Sequence, residues 1–361
     1  MIPAEPAKAA PSGRLDFLDW TRGLAVAIIL QGHVFDSFSR KDLRTQGAFV
    51  LSQFLGGLAP ALFLVLTGIT LGFLMHRNQQ ADISPMQRWV RALRRAGYLF
   101  LLAILFRLQL WIFALGASPW TDLFRVDVLN CMGLSIALMS VLALCTTEER
   151  ARYGAILGIS IAFASPVVSS LDWTWLPSPI ANYVAPSYVY FALFPWAAFI
   201  AFGISIGSLL RMVEAPDVNR LMQWGSLAGF AMVIGGQYFA NLPYSIYPKS
   251  EFWLDSPTQV CVKLGVVLLV LGAAYVWTGH LNKSRWSWMR QLGTTSLLVY
   301  WVHIELVYGR WFGSYKETLS TPQVVGSCIA LIVSMIGLSL LQTRWRKAGW
   351  AGLAPHRVKL A

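Results

Sequence analysis

The stretch that decides the fold is LDWTRGLAVAIILQGHVFDSF, Leu18–Phe38. It is long and apolar enough to cross a hydrocarbon core as one helix. It also holds Arg22 and His33, eleven positions apart. That spacing is about three helical turns, so the two side chains share a face roughly 16 Å apart along the axis. Asp19, three residues before Arg22, joins the same face. Ionisable groups at membrane depth are costly and mark a pathway or a reaction site. A carboxylate, a guanidinium and an imidazole in one stripe therefore point to chemistry inside a membrane helix.

Composition extends this reading to the whole chain. Of 361 residues, 56% are hydrophobic and 13% charged, with a mean hydropathy of +0.55. A soluble domain averages about 25% charged residues, so a water-soluble globule is excluded. Ten apolar runs recur along the sequence: Leu18–Phe38, Phe54–Met75, Gly97–Leu115, Val126–Leu144, Tyr153–Ser170, Tyr188–Met212, Gln223–Phe239, Thr258–Trp277, Thr294–Arg310 and Val324–Leu341. The pattern predicts an all-α, polytopic membrane bundle of about ten helices over residues 14–341. A disordered tail (1–13) and a basic tail (342–361) are expected to flank it. Nineteen Lys and Arg fall in alternate segments starting with the N-terminal tail, against seven in the other loops. This bias predicts that both termini are cytoplasmic. The net charge of +12 is thus a topology signal and not a nucleic-acid footprint. Cys131, Cys145, Cys261 and Cys328 have no paired spacing, so neither a disulfide framework nor a metal site is expected. The tail 1–13 is not a secretory signal, because the apolar run after it is long and opens with Asp and Arg.

With that topology, Asp19 and Arg22 lie at the inner end of the first span and His33 in its outer half. His303 falls past the middle of the ninth span, with Ser296 and Tyr300 on its face. Asp127 and Asn130 sit near the outer mouth of the fourth. His33, His303, Asp127 and Asn130 are expected to converge on one outward-leaning polar pocket. Before the third span, RWVRALRRAGYLF carries Arg88, Arg91, Arg94 and Arg95, with Arg88, Arg91 and Arg95 on one helix face. Such an array can hold phosphates by charge-assisted bonds, or it can anchor the helix against anionic lipid. Arg22 either binds a ligand or pairs with Asp19. His303 is either catalytic or a buried hydrogen-bonding residue. Arg107 and Lys263 either satisfy buried carbonyls or snorkel. Two loops rich in Trp, Tyr and Pro, 171–187 and 240–257, form an interfacial aromatic belt or a sugar-stacking surface.

Five stretches together resemble the transmembrane acyltransferase superfamily, which includes the acyltransferase-3 proteins and the heparan-α-glucosaminide N-acetyltransferase-like proteins. They are RLDFLDWTRGLAVAIILQGH (14–33), LAPALFLVLTG (58–68), FRVDVLNCMGLS (124–135), LFPWAAFIAFG (193–203) and LGTTSLLVYWVHIELVYG (292–309). The resemblance implies transfer of an acyl group, expected to be acetyl, from cytoplasmic acyl-CoA to a sugar across the membrane. The acyltransferase-3 pattern of Arg, ten residues, then His is met by Arg22 and His33. Its Arg-x-x-Arg element is met by Arg88/Arg91 and by Arg91/Arg94. Animal heparan-type enzymes carry their catalytic His in the loop after the first span, and residues 37–52 contain none. His33 is then the matching residue, and a heparan-like acceptor is not implied.

On this reading His33 acts as a base or is itself acylated. His303, Tyr300 and Asn130 are candidate oxyanion donors. Arg22 with Arg88, Arg91, Arg94 and Arg95 holds the acyl-CoA, and no metal is required. The expected setting is a bacterial inner membrane, with a glycan or glycolipid acceptor on the far side. A proton-coupled carrier of a small polar solute is the competing reading, because intramembrane His, Arg and Asp residues also build carriers.

Overall fold

The structure is a computed structural model that describes residues 15–116, 118–281 and 286–347. The expected tail 1–13, and residues 348–361 of the expected tail 342–361, lie outside the described residues. Thirteen α-helices follow one another: α1 (Asp16–Phe38), α2 (Gly47–Gly56), α3 (Ala59–Gln80), α4 (Pro85–Phe113), α5 (Val128–Met139), α6 (Thr147–Ser170), α7 (Ser178–Val184), α8 (Leu193–Met212), α9 (Val218–Ala240), α10 (Pro257–Val276), α11 (Trp288–Thr294), α12 (Ser296–Tyr308) and α13 (Thr321–Lys347). No strand occurs among the described residues; Ser39 and Leu319 form an isolated bridge. Each of the ten apolar runs is helical, and the chain is an all-helical, polytopic membrane bundle. Among the described residues, seven helical stretches are long and apolar enough to cross a membrane. The runs carried by α1, α9 and α12 fall outside that set. α1 is interrupted by charged residues, and α12 has only 13 residues.

Several boundaries differ from the sequence pattern. The second run is divided at Gly57–Leu58, where Pro60 starts α3, so α2 is a separate short helix. The sixth begins at Leu193 rather than Tyr188. The ninth is broken at Thr295, which separates α11 from α12. At the end of the chain, α13 continues through 342–347, which the sequence pattern assigns to the tail.

Small residues set the tightest contacts, as expected where helices cannot rely on water to drive them together. α3 and α8 approach at Gly68 and Gly203, where a Cβ on either would overlap the backbone of the other helix. α1 and α11 meet in the same way at Gly23 and Gly293, whose Cβ positions would fall on the carbonyls of Met289 and Asp19. A capping box of Thr146 and Glu149 starts α6, and Ser84 caps α4. Near its C-terminal end α1 is clasped to α2: Gln31 Nε2 donates to the Ser52 carbonyl and Gln53 Nε2 to that of Gly32, both at 3.0 Å.

Candidate active site

A cavity of about 1310 Å³ runs inside the bundle, walled by α1 to α5, α10, α12 and the aromatic segment before α10. Arg22 and Arg95 stand at one end of it; Tyr188, Phe252 and Trp253 line the other, and His33 lies between. A smaller cavity of about 380 Å³ adjoins at the Arg22 end, sharing Arg22, Ser296 and Leu297 with the first. Together they form one passage. Loop 240–257 lines it through Phe252 and Trp253. Loop 171–187 does not; the residues just after it, Tyr188 and Phe191, do. Tyr188 lies in the loop before α8 and donates to Glu251 at 2.7 Å, which pushes its phenol up to about 12.

His33, on the cavity wall, meets His303 behind it. His33 Nδ1 is 3.1 Å from His303 Nε2, and the rings stack with centroids 5.3 Å apart. His303 is fully buried, and its Nδ1 lies 2.8 Å from the Val299 carbonyl. A carbonyl only accepts, so His303 Nδ1 carries the proton and its Nε2 offers a lone pair. His33 Nδ1 must then donate to that lone pair. In the neutral pair this leaves His33 Nε2 unprotonated, on a side chain that lines the cavity. One backbone carbonyl thus fixes two tautomers in series. Tyr308 packs edge-on against His33, with centroids 5.2 Å apart, while its hydroxyl donates to Asp36 at 2.9 Å. Tyr300 lines the cavity and packs edge-on against His303.

At the basic end, Arg22 bonds Asp19 at 2.9 Å and Thr70 at 3.3 Å. Its pairing with Asp19 does not withdraw it from the cavity, which it still lines. The smaller cavity abuts Thr295, Ser296, Leu297 and Leu298, the first turn of α12, with Arg346 on its wall. Thr295 makes no side-chain cap. The N–H groups of that turn and the positive end of the helix dipole suit an anion. The break at Thr295 creates this terminus. No proline announces it, and its sequence signal is Gly293 with two β-branched residues after it.

Other residues expected at the site stand elsewhere. Asp127 caps α5, accepting from the backbone N–H groups of Leu129 and Asn130 and from Arg107 Nε at 3.0 Å. The Asn130 amide turns to the Arg125 carbonyl and to Asp127. Neither side chain lines the cavity, nor does His303, which reaches it only through His33; of the four residues expected at one pocket, His33 alone is on its wall. Asp127 is consumed by the cap and by Arg107, whose charge it neutralises. The arginine array of α4 is also divided. Arg95 lines the cavity, Arg94 is exposed, and Arg91 reaches Asn78 at 3.5 Å. Arg88 is buried against the Leu144 carbonyl, beside Arg150, which donates to Leu142, Cys145 and Gln79. Shared helix spacing does not unite them, because α4 packs a different partner at each turn. Lys263 lines the cavity, a placement that neither sequence reading anticipated. Among the described residues, no three His, Cys, Asp or Glu are grouped to hold a metal ion.

The sequence model of the family described as "heparan-alpha-glucosaminide N-acetyltransferase, catalytic" matches residues 14–240. The match takes in Arg22, His33 and the arginines of α4, while His303 lies beyond it. No curated protein sequence matches the chain. Because the matched region is more than half of the 361 residues, the chain belongs to the heparan-alpha-glucosaminide N-acetyltransferase catalytic family, a family of membrane acetyltransferases.

Proposed function

We propose that the protein moves an acetyl or closely related acyl group from cytoplasmic acyl-CoA to a hydroxyl or amine of a glycan or glycolipid on the other side of the membrane. The observation that carries this reading is the tautomer-fixed histidine pair, whose His33 lines a cavity that also presents Arg22 and Arg95 and, elsewhere on its wall, Tyr188, Phe252 and Trp253. A thioester is already activated, so the reaction chiefly needs a base for the acceptor and a means of bringing two impermeant substrates together. The unprotonated Nε2 of His33 is the base. It takes the proton as the acceptor oxygen or nitrogen attacks the thioester carbonyl. When the tetrahedral species collapses, the C–S bond breaks and the same nitrogen returns the proton to the leaving thiolate. His303 acts as a positioning residue: it holds His33 in the productive tautomer and shares the charge of the transient imidazolium. An acyl-His33 intermediate uses the same lone pair as nucleophile.

The donor's phosphates fit the basic end, where Arg22, Arg95, Arg346 and the first turn of α12 gather. Arg22 and His33 stand roughly 16 Å apart along α1, room for the extended thiol arm between phosphate and reacting carbonyl. The positive-inside bias supports a cytoplasmic position for that end and for both termini. Tyr300, which packs against His303 and lines the cavity, offers a hydroxyl as an oxyanion donor. The test is acetyl transfer from radiolabelled acetyl-CoA to alkyl glycosides by the purified protein in nanodiscs, with acetyl-CoA binding measured alongside. Failure to bind acetyl-CoA overturns the proposal and favours a carrier, which has no use for that ligand.

A further inference from the structure

Four basic side chains line the large cavity, Arg22, His33, Arg95 and Lys263, and among the described residues no Asp or Glu lines it. The proposed donor and base account for three of them. Lys263 is left over. It is buried on α10, and its ammonium sits 4.7 Å from the centroid of the Trp196 ring. Among the described residues it forms no ion pair.

Helix register gives its depth. The Phe17 and Tyr275 rings meet edge-on, 5.7 Å between centroids, joining the start of α1 to the end of α10. At the opposite end Trp253, just before α10, meets Phe54 of α2, the helix clasped to the last turns of α1. The two helices therefore run antiparallel. Counted from the Phe17–Tyr275 contact at about 1.5 Å per residue, Arg22 lies ~8 Å along, Lys263 ~18 Å and His33 ~24 Å. A helical side chain leans toward its own N-terminus, which for Lys263 is the direction of His33 and of Trp196. The ammonium thus faces the aromatic half of the passage and not the arginines.

A buried ammonium needs compensation, and the face of one indole supplies only part of it. The wall around it offers aromatic faces at Phe191, Trp196 and Trp253 and an amide at Gln237, surfaces that suit a sugar ring beside a charge. We infer that Lys263 anchors an anionic group of the acceptor, a sugar carboxylate or a lipid phosphate close to the accepting hydroxyl or amine. The inference rests on the acyl-transfer reading above, and it narrows the acceptor from any glycan to an acidic one.

Binding can be tested apart from turnover. Protein in phosphatidylcholine nanodiscs is titrated calorimetrically with dodecyl glucuronide, dodecyl phosphate and the neutral dodecyl glucoside, and empty discs are subtracted. The wild type is expected to bind at least one anionic amphiphile 10-fold or more tighter than the glucoside; which one it prefers identifies a sugar carboxylate or a lipid phosphate. In Lys263→Met the preference should fall below 2-fold with acetyl-CoA affinity unchanged, and Lys263→Arg should keep it. If the methionine variant does not fold, Lys263→Gln carries the same comparison. Equal binding of all three ligands by the wild type, or a preference that survives in the neutral variant, overturns the inference. Anion-selective binding without acetyl transfer to any acceptor would overturn the acyl-transfer reading and leave the anion site standing. Transfer without selectivity would do the reverse.

Discussion

Replacing His303 with Leu removes the acceptor for the His33 Nδ1 proton while keeping a side chain of similar bulk. The wild-type bond is 3.1 Å long, and His303 is fully buried, so no water stands in for it without rearrangement. A buried donor left without a partner costs about 1–3 kcal/mol. His33 escapes that cost by turning or by moving its proton to Nε2, and either response removes the lone pair from the cavity. If the whole penalty falls on the reactive tautomer, kcat drops by about 5- to 150-fold. KM for acetyl-CoA should hold, because the arginines lie at the far end of the passage. Gln at this position places an amide oxygen near the lost Nε2, and it should recover most of the turnover. Steady-state transfer of labelled acetyl groups in nanodiscs measures both constants. Wild-type kcat in His303→Leu would refute the relay. Equal losses in the Leu and Gln variants would reduce His303 to a space-filling role.

His33→Ala should abolish transfer while acetyl-CoA binding and elution as a single species persist; measurable turnover in that variant removes the proposed base. Arg95→Gln should weaken acetyl-CoA affinity by ~1–3 kcal/mol, as expected for charge-assisted bonds, whereas Arg94→Gln, at an exposed position, should change it little. Calorimetry showing the opposite order would restore the α4 array as a single phosphate site. Gly293→Val should lower thermal stability sharply, since its side chain would overlap the Asp19 carbonyl; overpacking of this kind costs about 1–3 kcal/mol or more. A melting temperature unchanged from wild type would mean that α1 and α11 can part there.

The long apolar runs were legible because hydrophobicity is additive along a chain and needs no partner. The meeting of His33 and His303 was legible for a related reason: each was too polar to face lipid, and both fell in the same half of a helix. Asp127 was misplaced because its side chain satisfies its own helix end, and capping competes with a ligand for the same oxygens. The α4 arginines were grouped by spacing, yet Arg88 and Arg95 are two turns apart and meet different neighbours. Only the packing of α5, α6 and the turn after α5 separates them. Lys263 and the α12 terminus stayed hidden for a further reason. Whether a polar group on a buried helix faces a cavity or a neighbour depends on rotation about the helix axis, which one sequence fixes only weakly.

The joint between Gly23 and Gly293 has a consequence for entry to the passage. It stands next to Arg22 on α1 and near the end of α11, three residues before α12 begins, so it ties together two walls where the cavities adjoin. Backbones in direct contact leave no clearance for one helix to slide past the other. The backbone frame there is close-packed, so a change of opening would fall to side chains such as Arg22, held at 2.9 Å by Asp19 and at 3.3 Å by Thr70. Side-chain swings of this kind take picoseconds to nanoseconds, whereas helix displacements take microseconds or longer. On the proposed acyl-transfer reading, a donor passing this point would wait only on fast side-chain swings, and the slow step of the cycle is expected in chemistry or in release of the modified acceptor.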